Sequence, residues 1–199
     1  KAFVETVKQF GMDEYEFAVH ETKTYEVIEN VRRFKSELGI LYLNDFNRQV
    51  LTKILKQNSL EFTDLFDCKT YVYLWKGNPL AEKKIITLSD LEEYLHDALP
   101  IWTNNSFYFA EEVLSTNEYK KIIKANDRAT VLNLMVGLNA YTLCSGIICE
   151  ELNGDDYIAI PLDSDEVMTI GYITRKNTIM SQLGKKYIEE LLKCKEILL

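Results

Sequence analysis

The sequence has few basic residues: 23 lysines and arginines stand against 31 aspartates and glutamates, and the net charge is −8. A surface that binds nucleic-acid phosphates carries an excess of positive charge. We therefore expect this chain to bind no DNA or RNA with useful affinity by itself. No apolar run approaches the roughly 20 residues that span a bilayer, and no signal peptide is visible. These absences predict a cytoplasmic location and no membrane partner.

Histidine and cysteine are also scarce. The two histidines, His20 and His96, belong to no nucleophile motif such as GxSxG and to no metal-binding pair such as HExxH. The four cysteines show no CxxC spacing, and Cys144 has no basic neighbour in the sequence to activate its thiol. We therefore predict that the chain is not an enzyme and has no metal site and no cofactor. With no secretory signal, its cysteines are expected to be free thiols in a reducing cytosol.

Helical and strand patterns alternate along the chain. Phe3, Val7 and Phe10 recur at helical spacing before Gly11. The stretch LGILYL (38–43) is continuously apolar, which is typical of a strand buried on both faces of a parallel sheet. Strands linked by helical crossovers indicate an α/β fold with a parallel sheet in the first part of the chain. The predicted helices cover residues 3–10, 27–34, 46–55, 106–114, 128–138 and 178–192, and the predicted strands cover residues 15–20, 38–43, 70–77, 99–102, 121–125, 141–143, 157–160 and 167–174.

The segment YLWKGNPLAEKKIITLSDLEEY (73–94), which contains turn and helix-capping signals, separates two regions of alternating helix and strand patterns. Asn78 and Pro79 mark a turn after an aromatic strand. Ser89 and Glu92 fit a capping box at the start of the next helix. We therefore predict that the chain leaves one lobe and enters another in this segment.

Four segments resemble, in this order, the effector-binding domain of LysR-type transcriptional regulators, especially the versions found in Firmicutes. They read ELGILYLND, YVYLWKGNPLAEKKIITLSDLEEY, DRATVLNLMVGLNAYTLCSGI and IAIPL…TIGYITRK. The resemblance covers nearly the whole chain, although Asn78 stands where the family usually has histidine before PLA. It implies a two-lobe, periplasmic-binding-protein-like fold, with two Rossmann-like subdomains joined by two crossover strands. Lobe I would comprise residues 1–68 and 166–199, and lobe II residues 69–165.

The family places a winged helix-turn-helix, and then a first strand, before the helix that begins here at Ala2. The chain starts at Lys1, without methionine and within a helical pattern, so we expect it to be a fragment of a longer protein. The resemblance implies that DNA is bound only through the N-terminal domain absent here, and that a small-molecule effector binds between the lobes. It also implies a homodimer or homotetramer formed through the regulatory domains, with the apolar residues of 2–10 as the predicted pairing face.

Polar loops at the predicted strand ends supply the candidate effector contacts. Ligands of open parallel α/β sheets bind beyond the carboxyl ends of strands, near helix N termini that favour anions. Hydroxyl and amide side chains there suit a polar or anionic effector. The same residue types also cap helices without a ligand, and an arginine there can simply pair with a neighbouring carboxylate. The candidates are Thr22, Thr24, Asn44, Asn104, Ser106, Arg128 and Ser145.

Two functions remain open on the sequence. The first is the sensor domain of a regulator, and the second is a solute-binding protein of a transporter with the same two-lobe fold. Unpaired cysteines and the ordered motifs favour the regulator. Peroxide-sensing relatives carry their reactive cysteine in the region that reads SFYFAEE here, which has no cysteine. A redox switch is therefore not expected.

Residues His96–Ile101 (HDALPI) interrupt the resemblance. The Firmicute relatives usually continue after SDLEEY with a proline, a short apolar strand and a polar turn. The six residues here are also the translation of a widely used sequencing-adapter sequence, and His96, Asp97 and Pro100 suit a buried strand poorly. We therefore expect a foreign origin, no function for His96, and a short or irregular strand. The alternative is a genuine lineage-specific loop that starts the strand at Ile101.

Overall fold

The computed structural model describes residues 1–10, 16–98, 107–110, 112–125, 127–148 and 154–193. The predicted strand 99–102, Asn104 and Ser106 lie outside these residues, as do Cys149 and Cys194. The described helices are α1 (Ala2–Gln9), α2 (Thr24–Arg32), α3 (Arg48–Gln57), α4 (Leu88–Leu91), α5 (Arg128–Leu138) and α6 (Gln182–Lys193). The described strands are β1 (Leu38–Leu43), β2 (Leu60–Lys69), β3 (Tyr71–Trp75), β4 (His96–Ala98), β5 (Ile122–Lys124), β6 (Thr142–Cys144), β7 (Tyr157–Pro161) and β8 (Val167–Arg175).

The chain forms two compact α/β units. Unit 1 comprises Lys1–Phe66 and Thr169–Leu199, and unit 2 comprises Asp67–Met168. The chain therefore leaves unit 1 within strand β2 and returns to it within strand β8. Unit 1 has a three-stranded sheet with the order β1-β8-β2. Unit 2 has a three-stranded sheet with the order β6-β3-β7 and a two-stranded parallel sheet formed by β4 and β5.

The sheet of unit 1 is not parallel as predicted, because β1 runs antiparallel to β8. Leu38 lies opposite Thr174, and Leu43 lies opposite Thr169. Residues along β1 alternate between half-buried and buried, so the strand is not buried equally on its two faces. A continuous apolar run indicates that a strand is buried, but it does not indicate whether the neighbouring strand runs parallel or antiparallel to it. The partner of β1 comes from the far end of the chain, and no local pattern specifies that pairing.

Two predicted elements are absent from the described residues. Residues 16–23 form neither helix nor strand, although residues 15–20 show strand-like alternation. An alternating pattern does not by itself make a strand, because the backbone N–H and C=O groups must also pair with those of a neighbouring strand, and residues 16–23 make no such ladder. The predicted helix 106–114 is reduced to one turn of 3₁₀ helix at Phe107–Phe109. Leu114 has a left-handed φ of 56°, which a helix cannot accommodate.

The capping box of α4 lies two residues before the predicted one. The Thr87 hydroxyl accepts from the backbone N–H of Asp90 at 3.3 Å, and an Asp90 carboxylate oxygen accepts from the N–H of Thr87 at 2.9 Å. Lys83, which donates to the Asp90 carboxylate, and these bonds to Thr87 lower the pKa of Asp90 to about 2. Ser89 lies inside the helix. Both threonine and serine offered the right spacing, and only Thr87 has the extended backbone that an N-cap requires.

Helix α6 begins at Gln182, four residues after the predicted start. The Ser181 hydroxyl accepts from the N–H of Gly184 at 3.0 Å, as an N-cap does. Ser181 also donates from its hydroxyl to Glu37 at 2.7 Å. The cap, and not the apolar periodicity, therefore decides where this helix begins.

In unit 2, Asn139 joins the end of α5 to the turn after β3. Asn139 ends the helix in a left-handed conformation, with φ 52° and ψ 36°. Its side-chain oxygen accepts from the indole N–H of Trp75 at 2.8 Å, and its backbone oxygen accepts from the side chain of Asn78 at 3.1 Å. The side-chain oxygen of Asn78 accepts from the N–H of Leu80 at 2.9 Å. Asn78 is therefore a buried turn residue.

Helix α1 packs on helix α6 within unit 1. The rings of Phe3 and Tyr187 meet edge to face, with centroids 6.0 Å apart. The side chain of Gln9 donates to Glu190 at 2.7 Å. Ala2 is buried, and Val4 is 45% exposed. Much of the apolar face of α1, which was predicted to pair subunits, therefore contacts α6 of the same chain. Val4 lies on the exposed side of α1.

Candidate functional site

The described candidate residues divide between the two units. Neither Asn104 nor Ser106 is in the described part of the chain. Unit 1 holds Thr22, Thr24 and Asn44, and unit 2 holds Arg128 and Ser145. Each group is described within its own unit.

Thr22 and Thr24 lie at the start of helix α2. The N-cap position is Lys23, and it makes no side-chain capping bond to the helix. The Thr22 hydroxyl is buried and has no hydrogen-bond partner among the described residues. Thr24, the first helical residue, is 6% exposed. The first N–H groups of a helix carry a partial positive charge. An anion that reached them would also satisfy the Thr22 hydroxyl.

A cavity of about 470 Å³ adjoins this helix start. Residues 16–22, including Thr22, form one wall, and the first half of β1 (38–40) forms another. Leu183 and Tyr187 of helix α6 contribute apolar surface. The volume lies within the range of small-molecule sites, about 300–1,000 Å³. Thr22 is thus the candidate residue of unit 1 that combines an unpartnered polar atom with a cavity.

Asn44 is used by the turn between β1 and α3. Its side-chain oxygen accepts from the N–H of Asn47, and the side-chain oxygen of Asn47 accepts from the N–H of Asn44, both at 2.9 Å. Asn44 is 5% exposed. This reciprocal pair supports the structural alternative for Asn44, because its oxygen already holds the turn together.

In unit 2, the start of α5 is capped by the protein itself. One Asp127 carboxylate oxygen accepts from the N–H of Thr130 at 2.9 Å, and the other accepts from the Thr130 hydroxyl at 2.7 Å. These bonds lower the pKa of Asp127. Arg128 is exposed, and its positive charge acts on the phenol of Tyr73. Arg128 therefore offers a cation beside β3, whereas the helix terminus itself is occupied.

Ser145 follows β6, in a turn that depends on glycine. Its hydroxyl accepts from the N–H of Ile147 at 3.5 Å, the limit of a hydrogen bond. Gly146 has φ 76°, and a Cβ there would lie 2.6 Å from the Tyr71 ring. Ser145 is half-buried. Its weakly engaged hydroxyl can therefore turn to a ligand with little loss.

Burial disfavours the thiolate form of the two described cysteines. Burial, aided by the charge of Asp67, raises the pKa of the Cys68 thiol to about 11. Burial also raises the pKa of Cys144 to about 11, although the N–H of Gly146 opposes it. Both cysteines are free, as predicted. The thiolate is the reactive form, so neither residue suits a nucleophile or a redox sensor.

No group of three histidine, cysteine, aspartate or glutamate residues among the described residues could hold a metal ion. Likewise, in this part of the chain no helix is both long and apolar enough to cross a membrane.

No family model matches the sequence, and no curated protein is significantly similar to it. Solved structures are similar to it in fold. The effector-binding domain of QuiR in complex with shikimate shares 15% identity, with 88% of this chain and 79% of that chain covered and a TM-score of 0.58. The reduced form of OxyR shares 16% identity, with 89% and 80% covered and a TM-score of 0.58. HinK, a LysR family transcriptional regulator from Pseudomonas aeruginosa, shares 13% identity, with 98% and 64% covered and a TM-score of 0.63. The chain therefore has the two-lobe, periplasmic-binding-protein-like α/β fold of the effector-binding domains of LysR-type transcriptional regulators, as its ordered motifs implied.

Proposed function

We propose that this chain is the effector-sensing regulatory domain of a LysR-type DNA-binding transcriptional regulator of the cytoplasm, and not an enzyme. The observation that carries the proposal is the fold, which is shared with such domains over 88% to 98% of the chain. The net charge of −8 fits a domain that leaves DNA to a separate winged helix-turn-helix. The raised thiol pKa values of Cys68 and Cys144 argue against peroxide sensing, although OxyR has the same fold.

The effector we propose is a small, polar or anionic metabolite. In unit 1, support comes from the Thr22 hydroxyl, which has no hydrogen-bond partner among the described residues and lies beside the start of α2, where the N-cap residue Lys23 makes no side-chain capping bond. In unit 2, it comes from the cationic Arg128 and the weakly engaged hydroxyl of Ser145. QuiR, which has the same fold, binds shikimate, a small organic anion. Thr24, Asn104 and Ser106 complete the proposed contacts, and Asn44 holds the turn between β1 and α3.

We propose that the effector acts by shifting a conformational equilibrium of the regulatory domain. It can do so only by the difference between its affinities for the two conformations. The preferred conformation then changes how a homodimer or homotetramer presents its DNA-binding parts. The sign of the regulation depends on which conformation the effector favours.

The part of the unit 1 cavity beside β1 is proposed to hold another strand. Among the described residues, β1 pairs with β8 alone, so its second edge faces the cavity. The family resemblance implies a strand before α1. That strand would pair with the free edge of β1. The effector would then bind in the remaining part of the cavity, next to Thr22.

The test of this function uses the complete polypeptide to which the domain belongs. Polar metabolites that raise the melting temperature of this domain are added to the complete protein, and DNA binding is followed by footprinting. A regulator is expected to change its footprint when such a ligand is added. The alternative, a solute-binding protein of a transporter, is expected to have a secretion signal and to give no footprint with or without ligand.

The proposed contacts predict a loss of ligand affinity. The triple variant Thr22→Ala, Ser106→Ala and Ser145→Ala is expected to bind a ligand found in the screen more weakly. Its dissociation constant should rise about tenfold or more, since each hydrogen bond contributes about 0.5–1.5 kcal/mol. The melting temperature without ligand should stay close to that of the unmodified chain. Calorimetric titration measures the affinity, and the exposed Thr116→Ala serves as control. An unchanged affinity in the triple variant would place the site elsewhere.

A further inference from the structure

Strand β4 buries two titratable side chains in unit 2. His96 is 2% exposed and Asp97 is 1% exposed. The His96 ring stacks on Tyr119 with 4.0 Å between centroids and lies 5.0 Å from the Tyr141 ring. Its Nε2 lies 3.2 Å from a carboxylate oxygen of Glu112, which is 7% exposed. We call these five residues the His96 cluster.

The cluster has more acidic oxygens than donors to satisfy them. Neither carboxylate oxygen of Asp97 has a hydrogen-bond partner among the described residues, and neither does Nδ1 of His96. Glu112 accepts from the Thr142 hydroxyl with its other oxygen. The Tyr119 hydroxyl donates instead to the backbone oxygen of Leu114 at 2.9 Å. An ionised carboxylate in such a place is strongly disfavoured.

Protonation of Asp97 relieves this conflict. Burial raises the pKa of Asp97 from a usual value of 3.8 to about 6; the charge of Glu112 adds to the rise, and His96 opposes it. On the elements that neighbour β4, Lys124 of β5 and Arg128 of α5 are exposed. Cys144 of β6 is neutral at these pH values, because its pKa is raised to about 11. Nothing on these elements therefore offers Asp97 a buried cation.

We propose that the His96 cluster makes the folded state of unit 2 more stable at mildly acidic pH than at neutral pH. Below about pH 4, Asp97 is protonated in both the folded and the unfolded chain. As the pH rises further, the unfolded chain ionises while folded unit 2 retains the proton until about pH 6. The free energy of unfolding therefore falls between about pH 4 and pH 6 and stays lower above about pH 6. A carboxylate that forms an ion pair in the folded state has a lowered pKa, so it has the opposite effect: it makes the folded state more stable as the pH rises.

The predicted foreign origin of residues 96–101 is consistent with this cluster. His96 and Asp97 occupy buried strand positions, and the described residues around them provide too few hydrogen-bond partners. Such a conflict between local sequence and global fold weakens a structure. The pH response belongs to this polypeptide whatever the origin of its six residues.

The test compares the whole chain with Asp97→Asn at pH 5.0 and pH 7.5. Hydrogen exchange resolved to β4, β5 and β6, corrected for intrinsic exchange rates, reports the opening of unit 2. The opening constant of the unmodified chain is expected to rise about tenfold between these pH values because of Asp97. Asp97→Asn should remove that rise and be about tenfold or more better protected at pH 7.5. Asp155→Asn, an exposed change in the same unit, should behave as the unmodified chain does.

Three results would overturn the proposal. In the first, Asp97→Asn keeps the full pH response. In the second, His96→Gln removes the response while Asp97→Asn does not, which would assign it to the imidazole. In the third, Asp97→Asn and Asp97→Ala both fail to protect β4 at either pH. Removal of a disfavoured buried charge should stabilise this strand, so the third result would mean that Asp97 supports the fold.

Discussion

Gly171→Ala is expected to destabilise the sheet of unit 1 by about 3 kcal/mol, the upper part of the usual range for overpacking a core. Gly171 lies in β8, the middle strand of that sheet. A Cβ there would lie 2.3 Å from Cζ of Phe62 and 2.5 Å from the backbone oxygen of Thr63. The ring can rotate away, but the backbone oxygen can move only if β2 itself moves. Urea denaturation followed by circular dichroism measures the loss.

Gly137→Ala is the matched control for this prediction. Gly137 lies inside helix α5, and no atom lies within 4 Å of the position that its Cβ would take. The same substitution should therefore stabilise the protein by roughly 0.5–1 kcal/mol, because alanine favours helix interiors. We therefore expect the free energy of unfolding to fall in Gly171→Ala and to rise in Gly137→Ala. A Gly171→Ala variant as stable as the unmodified chain would show that β2 and β8 are less closely packed than described.

Asn139→Ala is expected to destabilise unit 2 by about 2 kcal/mol. The indole N–H of the half-buried Trp75 would lose its acceptor, and the loss of one such hydrogen bond costs about 1 kcal/mol. Alanine would also be less tolerant than asparagine of the left-handed backbone at the end of α5, where φ is 52°. Urea denaturation of the purified variant, with the free energy extrapolated to water, measures the change.

Two further variants separate these contributions. Asn139→Asp keeps a side-chain acceptor for Trp75 and should retain most of the stability. Asn139→Gly removes the acceptor but suits the left-handed backbone, so it should fall between the aspartate and alanine variants. If the alanine and aspartate variants were equally stable, the hydrogen bond from Trp75 would contribute nothing measurable.

The candidate site could be predicted only by residue type. The sequence indicated that Thr22, Asn44 and Ser145 follow strand-like segments. It did not distinguish Asn44, whose oxygen is used by Asn47, from Thr22, whose hydroxyl is buried without a described partner. Nor did it reveal that Asp127 caps α5 and leaves Arg128 beside β3. These differences depend on which atoms meet, and short motifs do not contain that information.

Elements whose signals are local could be predicted from the order of the amino acids. Helix α5 spans the predicted 128–138, between an aspartate cap and a left-handed asparagine, and β1 spans the predicted 38–43. Propensity, apolar periodicity and capping act over a few residues, so a single segment encodes them. The ordered motifs also led to the correct fold class.

Features that depend on distant parts of the chain could be seen only after the chain had folded. The tertiary structure made β1 antiparallel to β8, because the partner strand comes more than a hundred residues later. It left residues 16–23 without a strand despite their alternating pattern, since the pattern does not encode the backbone hydrogen bonds to a neighbouring strand. It also buried Asp97 with no hydrogen-bond partner among the described residues, and this burial raises the pKa of Asp97 to about 6. Pairing, burial and desolvation are properties of the folded surroundings, and the same residues would behave differently in another fold.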